Sequence, residues 1–264
     1  MRTVEKALRL LRMFSSVEPE LGVSELARRL DLDRATVHRL LQALLAQRFV
    51  EQDAASRRYR LGLGVLDIAA VRISQHGLLH VAMPHLEHLR EATDETVALL
   101  VPDGSDAVCI ATLESRHAVR VGYNIGERIA LHASAGGQVL LANIGAAERE
   151  AVLKAGFRRF TRHTVTDRHE LEAILDEVRR QRGGWSAEGY IDGVISAAAP
   201  IMDPKRRLAA AVSLAAPLPR RNRKDLPKLL EAARQAADGI ERAWSGLSPN
   251  LPSSRIVEPV TKTD

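Results

Sequence analysis

The chain has 264 residues, 45% hydrophobic and 27% charged, the composition of a globular protein large enough for two sizeable cores. No apolar run approaches the roughly 18 residues of a membrane span. The N-terminus Met-Arg-Thr-Val-Glu-Lys has no apolar signal core, and Cys109, the single cysteine, excludes an intramolecular disulfide or a multi-thiolate metal site. A cytoplasmic protein with no membrane partner is expected. Charge is unevenly placed: residues 1–62 hold 12 Lys and Arg against 8 Asp and Glu, so +4 of the formal +5 falls in the first quarter. An electropositive end beside a near-neutral remainder suits one module for phosphates and another for a different task.

In chain order, Val4, Ala7, Leu8, Leu11 and Phe14 mark an amphipathic helix ended by Ser15, Ser16 and Pro19. Ser24 is expected to cap a second helix carrying Leu26, Ala27 and Leu30, and Asp33 a third, across the short break Asp31-Leu32-Asp33. In the third, Val37, Leu40, Leu41, Leu44 and Leu45 fall at i, i+3, i+4, i+7 and i+8, one stripe facing a core. Arg34, Ala35, Thr36, His38, Arg39 and Gln42 lie off the stripe, near the end that a recognition helix presents to the major groove. Residues 49–52 and 58–61 then flank the polar turn Asp53-Ala54-Ala55-Ser56-Arg57, a hairpin whose Arg57, Arg58 and Arg60 would form a basic wing.

Residues 63–74 read as a connecting helix, interrupted at Gln75-His76-Gly77, and residues 78–92 as another in which Pro84 marks a kink or a fresh start. From Glu95 the pattern changes. Residues 96–101 and 107–113 are apolar strands around Pro-Asp-Gly-Ser, and residues 119–123 read as a further strand. Helices are expected over 133–143, 147–155 and 170–182, strands over 194–201 and 208–216, and a last amphipathic helix over 226–244. Residues 248–264, with three prolines, read as a disordered tail. Hairpin strands with helices beside them predict an α+β fold.

No Gly-x-Ser-x-Gly elbow, His-Glu-x-x-His pair or phosphate loop is present, so no catalysis is expected. His80, His85 and His88 crowd one helix without a Glu or Cys ligand in metal spacing. They read as a solvated or interfacial face, with no metal and no cofactor.

With these residues placed, the chain is similar to IclR-family transcriptional regulators over roughly residues 2–246. The matches are Thr-Val-Glu-Lys-Ala-Leu-Arg-Leu-Leu (3–11), Ser-Glu-Leu-Ala-Arg-Arg-Leu (24–30), Ala-Thr-Val-His-Arg-Leu-Leu (35–41) and Tyr-Arg-Leu-Gly (59–62). In the second half they are Leu-His-Ala-Ser-Ala-Gly-Gly-Gln-Val-Leu-Leu-Ala (131–142), Gly-Val-Ile-Ser-Ala-Ala-Ala-Pro-Ile (193–201) and Ala-Ala-Ala-Val-Ser-Leu-Ala-Ala-Pro (209–217). The resemblance implies a winged helix-turn-helix over 1–62, a linker helix over 63–77, a GAF-like effector-binding domain over 78–246 and a tail over 247–264. It also implies a homodimer or homotetramer on a palindromic double-stranded operator, regulating catabolic genes as repressor or activator.

Carried over by position, the family's ligand site would include Ala118, Val121, Ile129, Ala135, Gly136, Ser196 and Ser213, with Ser134 at the entry of the helix. Tyr123, His132 and Glu188 are further polar candidates nearby. Each also has a packing role open to it: Ala135, Gly136 and Gly137 permit close helix–sheet approach, and the serines can be satisfied by their own strands. Cys109 reads as a small buried hydrophobe. Ser196 stands where the family often has Cys, and Trp185-Ser186-Ala187-Glu188-Gly189 where it often has an acidic run. Fewer carboxylates favour an anion, so the expected effector is a small organic acid, aromatic ones included. The alternative is a winged-helix protein-interaction module that senses no small molecule.

Overall fold

A computed structural model describes residues 2–15, 17–74 and 77–246. They form two compact units, divided between residues 76 and 77.

The first unit contains α1 (Thr3–Leu11), α2 (Val23–Leu30), α3 (Arg34–Ala46), β1 (Val50–Gln52), β2 (Tyr59–Leu61) and α4 (Gly64–Ser74). Leu10, Phe14, Leu21, Leu26, Leu30, Val37, Leu41, Val50 and Tyr59 form its core. The predicted stripes of α2 and α3 meet there except at Leu45, but α1 is turned from its expected face: Leu10 is buried, whereas Val4 and Leu8 are exposed. β1 and β2 pair antiparallel, Val50 opposite Leu61 and Gln52 opposite Tyr59. Asp33 caps α3 by accepting a hydrogen bond from Thr36 N at 2.8 Å. Ser24 does not cap α2: Gly22 is the N-cap, and no side chain bonds there. The cause is non-local. Leu21 N donates to Tyr59 O and Tyr59 N to Leu21 O, each at 2.9 Å, which holds the chain extended until Gly22 and starts the helix one residue before Ser24. Gly64 opens α4 against the turn that follows α3, donating to Arg48 O at 2.9 Å, where a Cβ would lie only 2.8 Å from that oxygen.

The second unit is an antiparallel sheet between two layers of helix. Its elements are α5 (Gly77–Thr93), β3 (Thr96–Asp103), β4 (Asp106–Leu113), β5 (Arg128–Ala130), α6 (Ala135–Asn143), α7 (Ala146–Lys154), α8 (Arg168–Gln181), β6 (Gly184–Ala187), β7 (Val194–Met202), β8 (Leu208–Pro217) and α9 (Leu226–Gly246). The strand order is β5-β4-β3-β8-β7-β6. Side chains alternate between faces with the period of two that a strand imposes. Val97, Leu99, Ile195, Ile201, Val212 and Leu214 pack with α5 and α9. Their neighbours Ala98, Leu100, Cys109, Ala198, Ala211 and Ala215 pack with α6 and α8.

Residues 119–123 are not a strand. They lie in the loop between β4 and β5, with their carbonyls taken by side chains: Thr96 Oγ1 donates to Val121 O at 2.6 Å and Arg220 Nη1 to Val119 O at 2.7 Å. The short edge strands β5 and β6 were not expected. Pro84 neither breaks nor restarts α5, which runs through it as one helix. The expected break at Gln75-His76 and the tail over 248–264 lie outside the described residues, and Gly77 is the first residue of α5.

Candidate DNA-binding face and effector site

Burial of Val37, Leu40 and Leu41 fixes how α3 turns about its axis. Arg34, Ala35, His38, Arg39 and Gln42 are thereby exposed and Thr36 half-buried, so all six predicted DNA-contact residues of this helix share its outer side. Arg39 Nη2 donates to Thr36 Oγ1 at 3.2 Å, which orients the guanidinium along the first turn. The Asp33 carboxyl is held below its ordinary range by the hydrogen bonds from Thr36, so the cap is charged at neutral pH. Arg28, which the sequence reading passed over, lines a shallow groove with Ser24 and Arg34. Its exposed place on α2, off the stripe of Leu26 and Leu30, was the available signal.

The two predicted wing arginines are placed differently. Asp53 accepts from Ala55 N at 3.1 Å and Ser56 N at 2.7 Å, closing the turn, and Arg57 takes a left-handed φ of 57° at its end. The Arg57 side chain is exposed and has no carboxylate partner among the described residues. Arg58 instead turns back, donating to Glu20 O at 2.8 Å and Glu25 Oε2 at 3.1 Å. Glu25 also takes Arg29, and Arg60 is held by Glu51 at 3.2 Å.

In the second unit, Ser134 is the N-cap of α6, accepting from Gly137 N at 3.0 Å, and Ser196 Oγ accepts from Ala135 N at 3.4 Å. The N–H of Gly136 has no acceptor among the described residues, although the residue is buried. Gly136 sits tightly on the sheet: a Cβ there would overlap Leu100 Cδ1 and lie 3.3 Å from Ser213 Cβ. Ser196 and Ser213 thus converge on the first turn of α6, one through a hydrogen bond and one through contact. Ala98, Ala198 and Ala215 surround them, Ala98 and Ala198 both opposite Ser213 and Ala215 opposite Ser196.

Val121, Tyr123 and Ile129 are buried in the same cluster. The Tyr123 hydroxyl is pushed well above its ordinary range by burial, with Glu127, Cys109 and Tyr190 adding to it, so it stays neutral. Burial likewise pushes the Cys109 thiol up to about 11, as suits the inert buried residue expected. Two predicted ligand residues stand apart. Ala118 is exposed on the outer part of its loop, away from this cluster. Glu188 accepts from Gly193 N at 3.1 Å and pairs with Arg223 at 3.2 Å, and these, the Gly193 N–H foremost, hold its carboxyl below the usual range. It ties a loop to Arg223 and, among the described residues, hydrogen-bonds to neither Ser196 nor Ser213.

His132 lies beside the site, its Nε2 2.8 Å from Arg158 O and its ring tilted against Phe157 and Phe160 at 5.2 and 5.8 Å between centroids. Phe160 in turn meets Tyr190 at 4.8 Å between centroids. This aromatic wall was missed because its members come from separate loops with no shared period. A neighbouring cleft of about 260 Å³, between α6, α8 and β6, is lined by Gln138, His163, Val178, Trp185 and Ser186 and by none of the predicted ligand residues.

Residues 3–54 match the family model described as the IclR helix-turn-helix domain, and residues 70–242 the one described as the bacterial transcriptional regulator IclR C-terminal domain. The chain belongs to the IclR family. Family members act as transcriptional regulators, not enzymes, and this one is a regulator with a helix-turn-helix DNA-binding domain and an IclR effector-binding domain. Its relatives include the HTH-type transcriptional repressor AllR of Escherichia coli strain K12, 30% identical over 243 residues, 92% of this chain and 90% of AllR. Among solved structures, a transcriptional regulator from Rhodococcus sp. RHA1 is 31% identical with a TM-score of 0.80, covering 93% of this chain and 98% of that one. An IclR homolog from Microbacterium hydrocarbonoxydans, complexed with 4-hydroxybenzoate, is 27% identical with a TM-score of 0.81, covering 92% and 99%. IclR regulators bind DNA operators and small-molecule effectors. Among the described residues of this one, no helix is long and apolar enough to cross a membrane.

Proposed function

We propose that this IclR regulator controls catabolic genes in response to a small aromatic carboxylic acid, bound where α6 meets β7 and β8. The observation that carries this is the buried, acceptor-free N–H of Gly136 beside the hydroxyls of Ser196 and Ser213. Unpaired N–H groups at a helix N-terminus favour a carboxylate, through direct hydrogen bonds and the helix dipole. The alanines of the sheet and the rings of Tyr123, Tyr190 and Phe160 offer apolar walls for the rest of the ligand. The 4-hydroxybenzoate complex of the Microbacterium homolog supports an acid of this class.

The regulator acts as a homodimer on a palindromic operator, because one recognition helix covers only a few base pairs. Leu66 and Ile68 on α4, each 61% exposed, with Leu8 on α1, give the DNA-binding unit apolar surface for a second copy. Arg39 reads bases and Arg57 touches phosphate, so Arg39→Ala changes site preference whereas Arg57→Ala weakens all sites alike.

The test is a calorimetric titration with benzoate, 4-hydroxybenzoate and aliphatic acids of equal charge, followed by gel shifts on the chain's own upstream DNA with each acid. Binding of aromatic acids, weakened in Ser196→Ala, is expected, along with a changed gel shift. A ligand with equal affinity for the DNA-competent and incompetent arrangements would regulate nothing, so both readouts are needed. Failure of every acid in the series to bind would sink the effector assignment while leaving DNA binding intact.

A further inference from the structure

Three consecutive residues at the junction of α5 and β3 reach across to the loop over residues 114–127. Asp94 O accepts from Ser115 Oγ at 2.7 Å, and the Asp94 carboxylate lies 2.9 Å from His117 Nε2. Thr96 Oγ1 accepts from Ser115 N at 3.1 Å while donating to Val121 O. Between them sits Glu95, whose side chain is 0% exposed.

A fully buried carboxylate needs charge and hydrogen-bond partners, and Glu95 has two arginines. Arg220 approaches in fork geometry, Nε to Oε1 at 3.0 Å and Nη2 to Oε2 at 2.6 Å. Arg221 Nε reaches Oε1 at 3.1 Å. The remaining donors of the two guanidinium groups go to different places. Arg220 Nη1 donates to Val119 O in the loop at 2.7 Å, whereas Arg221 Nη2 donates to Thr93 O at the end of α5 at 2.7 Å. Both serve one carboxylate, yet only Arg220 holds the loop.

That loop carries Val121 and Tyr123 down onto the alanine and serine face of the sheet. We propose that Arg220, seated on Glu95, is the positioning residue of the effector site: it fixes the loop that roofs the small-residue face and ties it to the end of α5. Three consequences follow. The roof is held at Val119 by Arg220 and at Val121 by Thr96 Oγ1, so it opens only when both bonds are released, and a ligand pressing on Val121 and Tyr123 works against the pair. The other end of the tie is Glu95, in the two-residue turn between α5 and β3, so strain in the roof reaches α5. The role of the roof over a ligand rests on the proposed effector site, but the Arg220 latch on the loop can be tested with no ligand at all.

The experiment compares Arg220→Gln with Arg221→Gln in the full-length protein by hydrogen exchange. Each variant leaves Glu95 one arginine, so neither orphans a buried charge. Loss of a charge-assisted bond should speed exchange of the amides over 117–123 about tenfold in Arg220→Gln, with α6 and α9 unchanged, while Arg221→Gln leaves the loop at the wild-type rate. In the second arm, 4-hydroxybenzoate should bind Arg220→Gln about tenfold more weakly than Arg221→Gln, and ligand-free DNA affinity should be equal in the two. Equal acceleration in both variants would make the cluster an ordinary structural ion pair and overturn the proposal, as would no acceleration in either. If Arg220→Gln does not fold, Arg220→Lys takes its place: an ammonium can satisfy Glu95 but cannot also span to Val119 O, so the same contrast is required of it. Failure of the wild type to bind the acid would strike the effector assignment alone, because the exchange contrast is read without ligand.

Discussion

The two faces of the second unit's sheet are built from the same strands by opposite rules. One face carries Val97, Leu99, Ile195, Val212 and Leu214, with Ala111, Ala197, Ala199, Ala210 and Ala216 between them, and fills its contact with α5 and α9 by volume. The other carries Ala98, Ser196, Ala198, Ala211, Ser213 and Ala215, which leaves the filling to α6, to the loop roof and to the rings of Tyr123 and Tyr190. Large branched side chains on both faces would have given a more conventional core. On β7 and β8 the positions toward α6 are small, Ser196, Ala198, Ala211, Ser213 and Ala215, while Leu100 and Cys109 fill that face on β3 and β4. The filled face holds the unit together, and the small-residue face is where the proposed effector would sit.

The largest effect is expected on the filled face. Leu99 is fully buried, and Leu99→Ala should cost about 2–5 kcal/mol of unfolding free energy through lost burial and the cavity left behind. A urea melt would show a lower midpoint at unchanged slope. A cost no greater than that of a surface substitution would mean that this face is not the load carrier.

Next comes the seat of α6. A Cβ on Gly137 would lie 2.7 Å from Leu131 O and 2.8 Å from Ala130 O, both backbone atoms that cannot swing aside. Gly137→Ala should therefore lift the helix, cost about 1–3 kcal/mol in the same melt, and reduce affinity for aromatic acids together with stability. Lost stability with acid affinity preserved would separate the helix seat from the site and break the link drawn between small residues and ligand.

The smallest effect compares the faces by pH. Each carries one histidine held below its ordinary value of 6.5: His85 by burial, aided by Arg242 and His88, and His132 by burial, partly opposed by its bond to Arg158 O. A depressed histidine favours the neutral form when folded, so its contribution is present above about pH 6.5 and is lost as pH falls below it. Wild-type stability should decline from pH 7 toward pH 5. His85→Gln and His132→Gln should each flatten part of that decline, and a slope untouched by either would assign it elsewhere.

The sequence disclosed what local chemistry decides. The α3 stripe and the Asp33 cap lie within a few residues of each other, and β7 and β8 are long apolar runs. Ser24 misled because the start of α2 is set by the bridge from Leu21 to Tyr59, 38 positions along. Residues 119–123 alternate like a strand, but their carbonyls are captured by Thr96 and by Arg220, 101 positions from Val119. β5 and β6, three and four residues long, are too short to show a period. For the site, Ser134, Ala135, Gly136, Ser196 and Ser213 came together, whereas Ala118 and Glu188 did not. Glu95 drew no notice at all, since its partner Arg220 is 125 positions away.

The tethering of Arg58 to Glu25 and of Arg60 to Glu51 has a thermodynamic consequence at the DNA surface. A phosphate contact gains much of its strength from the counterions it releases, and each contact steepens the decline of log affinity with log salt by about 0.9. A guanidinium already neutralised by its own carboxylate has little to exchange. If Arg57 touches phosphate as proposed, the wing brings one such contact instead of the three that its arginine count suggests, and binding should fade more gently with ionic strength than a basic hairpin of this composition would imply.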